Sequence, residues 1–99
     1  MRFYAVAILI AVLAPVFATV HMVSITDFLF TPRDLDIAVG DTVHWTNNGA
    51  TLHTVDNPFY FHSGPLSQGG SFHHNFTFDG NLPYYGTNHR SMRGTIHVT

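Results

Sequence analysis

The sequence predicts an all-β domain built as a sandwich of two sheets. Three observations carry that expectation. Apolar side chains alternate along short runs, turn dipeptides separate the runs, and no helical apolar period stands out. Val23 and Ile25 share one face of a first strand. Phe28 and Phe30 share a face after a one-residue phase slip at Thr26-Asp27, the pattern a β-bulge leaves. Leu35, Ile37 and Val39 alternate up to a turn at Gly40-Asp41, and Val43 and Trp45 then resume the inward direction. Phe72, His74, Phe76 and Phe78 alternate until the turn dipeptide Asp79-Gly80. Ile96 and Val98 make a last strand. Strands recurring this closely, with no internal repeat or linker between them, argue for a sandwich.

Composition narrows the class further. Ninety-nine residues allow one small domain. Such a domain buries a modest share of its surface, so bulky aromatics supply much of the core, and here they make up 14% of the chain. Zero cysteines exclude a disulfide framework, a zinc-thiolate site and a nucleophilic thiol. The N-terminus reads as a signal peptide over residues 1–18, leaving a domain over 19–99: Arg2 is basic, Tyr4 to Ala14 is apolar, and Val16-Phe17-Ala18 offers a small-residue cleavage site. A membrane anchor is the rival reading. The run from Phe3 to Ala18 falls short of the ~20 apolar residues a spanning helix needs, and Pro15 interrupts it. The domain then keeps Arg33, Arg90 and Arg93 against six aspartates. That acidity argues against a nucleic-acid partner. The expectation is an exported monomer, periplasmic or extracellular, with no stable membrane span after cleavage.

The order of motifs resembles a known family. Val23-x-Ile25-x-x-Phe28-x-Phe30-x-Pro32-x-x-Leu35-x-Ile37, followed by Gly40-Asp41-Thr42-Val43-x-Trp45-Thr46-Asn47, is similar to the first half of a plastocyanin/amicyanin-type cupredoxin, a small blue copper protein. His53-Thr54-Val55, Phe61-x-Ser63-Gly64-x-Leu66-x-x-Gly69, Phe72 to Phe78, and Met92-Arg93-Gly94-Thr95-Ile96 continue the likeness through the rest of the domain. The resemblance implies a Greek-key sandwich, a copper cofactor and electron carriage between protein partners. Residue by residue, it implies metal ligation by His53, His89 and Met92. The family's loop reads Cys-x-x-His-x-x-Met, and Gly86 stands where the cysteine would be. Leu82, in place of a usual tyrosine, and Pro83 are two further departures in the same strand. Proline in a strand is normally confined to edges, strand starts or bulges.

The missing thiolate governs the chemistry. In a blue copper site it neutralises charge, gives the colour and tunes the potential, while two imidazoles and a long thioether complete the shell. His53, His89 and Met92 are all neutral donors. Thioether softness tilts such a set toward Cu(I); bound Cu(II) would take water or an anion in the space at Gly86 and be pale. Asp56 follows His53 by three residues, and strand alternation puts it on the side of Thr54, which reads as a solvated carboxylate. His44 and His97 are expected to face solvent, and His62 lies beside a turn. His73 and His74 point to opposite faces, with His74 on the apolar phase as a core histidine with a hydrogen-bonded partner.

The leading expectation is therefore an exported copper-binding protein suited to copper buffering or delivery, with a redox or copper-exchange protein as partner. The alternative is a metal-free binding or assembly module on the same fold. Nothing in the chain supplies a catalytic motif, so no enzyme is expected.

Overall fold

The computed structural model describes residues 17–99, so the signal peptide read at 1–18 lies, but for its last two residues, outside the described residues. Nine strands follow: β1 (Val20–Thr26), β2 (Leu29–Thr31), β3 (Asp34–Ile37), β4 (Thr42–Asn47), β5 (Asp56–Asn57), β6 (Phe61–His62), β7 (Ser71–Asn75), β8 (Gly80–Gly86) and β9 (His89–Val98). They form two sheets, in the orders β2-β1-β4-β7 and β3-β9-β8-β5-β6. The expected all-β, two-sheet sandwich is what the chain adopts. Two pairings are parallel, β1 with β4 and β3 with β9. Each sheet therefore joins segments far apart in the chain.

The inward alternation holds where strands continue and stops where they end. Val23, Ile25, Val43 and Trp45 are buried, as are Ile37, Ile96 and Val98. Val39 and Phe78, expected to point inward, are exposed, because β3 stops at Ile37 and β7 at Asn75. The phase slip at Thr26-Asp27 is a tight turn rather than a bulge. Thr26 pairs with Leu29 across Asp27-Phe28, and β2 runs back antiparallel to β1. Phe28 takes a positive φ of 74° at this tip. It consequently leaves the core face on which Phe30 is buried and is 57% exposed.

Aromatic rings fill the space between the sheets. Trp45 is fully buried at their centre, with ring centroids 5.4 Å from Tyr84, 5.7 Å from Phe61 and 5.8 Å from Phe72. Phe30 adds an edge contact to Tyr84 at 4.7 Å. Edge-to-face pairs at these separations align ring edges with ring faces, which adds to area burial. Gly94 is required beneath this cluster, since a Cβ there would collide with the Tyr84 phenol.

Pro83 obeys the rule for proline in strands although β8 is internal. Its carbonyl accepts a hydrogen bond from Asn57 Nδ2 (2.8 Å), and in a strand a residue's nitrogen and carbonyl project to the same side. That side faces β5, whose ladder to β8 consists of the single pair Asp56–Tyr85. Pro83 thus sits at a local edge. Leu82 beside it is simply a core residue.

Trp45 Nε1 and Tyr84 OH are buried without a well-formed hydrogen-bond partner among the described residues, although the indole N–H approaches the phenol oxygen closely enough to oppose slightly the effect of burial on it. Burial pushes the Tyr84 phenol up to about 12, so it stays protonated at any ordinary pH. An unsatisfied buried hydroxyl costs roughly 1–3 kcal/mol. Tyr84→Phe is therefore expected to stabilise the domain by about 1 kcal/mol, seen as a melting temperature several degrees higher; a lower one would show that the hydroxyl is satisfied in solution.

Candidate functional site

Asp27, at the tip of the β1–β2 hairpin, organises one end of the sandwich. Its carboxylate accepts hydrogen bonds from the Thr51 hydroxyl (2.9 Å), the Thr51 amide (3.2 Å) and the Ala50 amide (3.3 Å). It also lies 2.9 Å from His53 Nε2. Gly49 allows this approach, since a Cβ there would collide with the Asp27 carboxylate. The His53 bond, first, and the Thr51 bonds lower the carboxyl from 3.8 to about 2.

His53 is held from its backbone as well. It exchanges two main-chain hydrogen bonds with Leu66, at 3.1 and 2.8 Å, and is only 1% exposed. Because the Thr51 hydroxyl proton is already directed at Asp27, Nε2 of the neutral ring carries the other proton and donates it to the carboxylate. This leaves Nδ1 as the nitrogen with a free lone pair. Nδ1 has no hydrogen-bond partner among the described residues.

The β8–β9 connection brings the other side chains to the same end. Gly86 pairs with His89 across the Thr87-Asn88 turn, while Tyr85 pairs with Arg93, so Arg90, Ser91 and Met92 bulge out of register. The bulge returns Met92 to the core side, where it is buried. The His53 and His89 rings lie 6.2 Å apart, tilted by 52°. With metal–nitrogen bonds of ~2.0 Å, two imidazoles on one ion have centres no more than about 6.4 Å apart. Phe28 stands edge-on to His89 at 4.5 Å and to His53 at 6.4 Å, covering both. A Cβ built on Gly86 would lie 3.8 Å from Met92 Sδ and 3.5 Å from the Thr54 carbonyl, ordinary contacts, so a side chain fits there. Gly86 is thus buried beside Met92 and the His89 main chain, at the end of the sandwich where the His53 and His89 rings approach each other.

This donor set fits copper only in part. It offers imidazoles and a thioether but no anion, and the chain has no cysteine. Among the described residues, no three His, Cys, Asp or Glu side chains gather as a metal-holding group. The nearest acidic group, Asp27, is committed to orienting His53.

Asp56 corrects one expectation. It is buried, not solvated, and accepts hydrogen bonds from the hydroxyls of Thr54 and Thr87, the latter at 2.6 Å, with His62 Nδ1 at 3.1 Å. Alternation did place it beside Thr54. Its burial works against ionisation, but these three bonds together outweigh it and lower its pKa. Thr54 Oγ1 also accepts from the Thr87 amide, so this buried network ties the turn before His89 to the segment after His53. His44 and His97 sit half-buried on outer sheet faces, with His97 Nδ1 2.7 Å from Asn81 Oδ1. His74 is half-buried between the rings of Phe61 (5.0 Å) and Phe76 (4.8 Å), without the hydrogen-bonded partner expected of it. Desolvation, then the neighbouring His73, lowers its pKa. Asp27 itself is the residue sequence reasoning missed. The only signal was the turn-forming character of aspartate at a phase slip.

Comparison with solved structures places the fold. A purple cupredoxin from Nitrosopumilus maritimus matches with a TM-score of 0.77 and 28% identity, over 80% of this chain and 99% of that one. A reduced amicyanin variant with phenylalanine for proline gives 0.75 and 27%, over 80% and 81%. An oxidised amicyanin variant with leucine for methionine gives 0.76 and 26%, over 80% and 81%. No protein-family model matches the chain. No curated protein matches it either. The domain is cupredoxin-like in fold. It is similar in fold to the purple cupredoxin and to the amicyanin variants alike, through four-fifths of its length.

The Asp27 clamp carries a pH signature. Its folded pKa of about 2 lies below the ordinary 3.8, so its contribution is complete above 3.8 and is lost as pH falls toward about 2. Asp41, lowered to about 2 by the Thr19 amide, His21 and the Ala38 amide, acts over the same window. Melting temperature is therefore expected to fall between those values, less steeply in Asp27→Asn, less steeply still in Asp27→Asn/Asp41→Asn, with the remaining slope owed in part to Asp56, whose pKa is also lowered. Asp27→Asn should also melt lower than wild type at neutral pH.

Proposed function

We propose that this chain is a cupredoxin-fold binding module that does not run thiolate-based redox chemistry. The observation that carries this reading is the neutral pole: Gly86 lies beside Met92, the His53 and His89 rings lie 6.2 Å apart, and none of these three side chains is an anionic donor. Fast copper electron transfer in this fold rests on the thiolate. The pole instead presents a rim of exposed apolar side chains, Phe28, Leu29 and Leu52, beside the partly accessible His89. A contiguous apolar rim is the kind of surface that protein partners cover. The likeness to cupredoxin and amicyanin structures supports a binding protein rather than an enzyme. The apolar leader read from the sequence at 1–18 supports work outside the cytoplasm. No described helix is long and apolar enough to cross a membrane.

One observation favours a second reading, copper buffering or delivery through His53, His89 and Met92. His53 is held by its Nε2 with Nδ1 free, the arrangement in which a carboxylate orients a metal-binding imidazole. The two readings part on one measurement. A module that binds no metal at this pole melts at the same temperature with and without Cu(I), or shows a shift that survives in His89→Ala. A rise that His89→Ala removes overturns the first reading in favour of the second, since ligand at 100 times its Kd stabilises by about 2.7 kcal/mol.

Gly86→Cys tests the placement of the pole independently. With the cysteine Cβ in ordinary contact range of Met92 Sδ, the variant is expected to form an intensely coloured Cu(II) complex. A colourless complex would mean that residue 86 does not stand at the thiolate position.

A further inference from the structure

The outer face of the β2-β1-β4-β7 sheet carries a second set of imidazole and thioether side chains. The register aligns Val23 with Trp45, and Trp45 with Phe72, a row that points into the core. The next row is Met22, His44 and His73, one residue from each of β1, β4 and β7. Strand alternation turns this row outward. Met22 is 61% exposed, His44 half-buried and His73 exposed.

Neighbouring strands lie ~4.8 Å apart, so directly aligned side chains are within reach of one ion. The His44 and His73 rings are near-parallel, 13° apart in plane, with centroids separated by 6.3 Å. That spacing is close to the limit of about 6.4 Å reached only by collinear metal–imidazole bonds, so binding requires the two rings to rotate out of their stacked arrangement toward a shared ion. Neither ring has a hydrogen-bond partner among the described residues, whereas His21, His53, His62 and His97 each do. The rows on either side carry Thr42 and Asn75, and Ser24, Thr46 and Ser71. No arginine there repels a cation, and no carboxylate draws in a hard one.

From this juxtaposition we infer that Met22, His44 and His73 form a surface site for Cu(I), separate from the pole at Gly86. Two imidazoles with one thioether make a soft, neutral donor set that suits Cu(I) better than calcium or magnesium. Binding forms two N–Cu bonds and one S–Cu bond, with no change of oxidation state, and displaces water or a solution ligand from the ion. His44 is the better fixed of the two histidines, being half-buried on an internal strand. Met22 supplies selectivity for the reduced ion.

The test is an anaerobic Cu(I) titration of the domain over residues 19–99, with a chromogenic chelator as competitor and labelled histidine and methionine observed by NMR. The His44 and His73 ring signals and the Met22 methyl signal are expected to shift together and to saturate at one equivalent for this site. His44→Gln and His73→Gln, both on the solvent face, should each weaken the site at least about tenfold, or about 1.4 kcal/mol. Met22→Leu should weaken Cu(I) and leave Zn(II) binding unchanged. Circular dichroism of each variant confirms folding. If Cu(I) shifts only the His53, His89 and Met92 signals, the pole takes the metal and the sheet-face site is refuted. If the protein takes up no Cu(I), both sites fail. Unchanged affinity in folded His44→Gln and His73→Gln also refutes it.

Discussion

The Asp27 carboxylate holds the functional end of this molecule together. Four donors converge on it, three from residues 50 and 51 and one from His53. It thereby joins the first hairpin to the loop after β4. His53 owes its orientation to this contact, and the hairpin that carries Asp27 also sets Phe28 over both imidazoles. The turn that aims Asp27 inward requires the next residue at positive φ, an uncommon state for a phenylalanine. Local strain and long-range pinning support one another here: the carboxylate's bonds hold the tip in place, and the tip keeps the ring on His89.

Much of the sandwich was legible because side-chain alternation reports burial directly. Val23, Ile25, Val43, Trp45, Ile96 and Val98 all fall on the faces their spacing indicates. What the alternation cannot report is where a strand stops, which is why Val39 and Phe78 look inward in the sequence yet lie exposed past strand ends. A phase slip is equally silent on its cause. A bulge and a two-residue hairpin both shift the count, and only pairing between strands separates them. Asp56 was misjudged for a related reason. Its solvation depends on Thr87, which is 31 residues away, and on His62.

The pole shows how geometry and chemistry can part company. The β8–β9 bulge, the Leu66 bridge and the Asp27 clamp bring His53 and His89 close together and turn Met92 toward Gly86, all by backbone pairing and side-chain hydrogen bonds. None of these devices depends on the identity of residue 86. A cupredoxin-like scaffold can therefore keep the frame of this end of the sandwich whatever residue stands at position 86. The same independence of frame from ligand holds on the sheet face, where main-chain register alone aligns Met22, His44 and His73.

Strand β9 runs between β3 and β8 and pairs with both along their lengths. Until β9 is available, β3 has no neighbour in its sheet and β8 lacks its longest one. A growing chain thus cannot close the second sheet from its N-terminal portion. The second sheet therefore closes only when residues 89–98 are in place, and until then the aromatic core that it covers is left in need of protection.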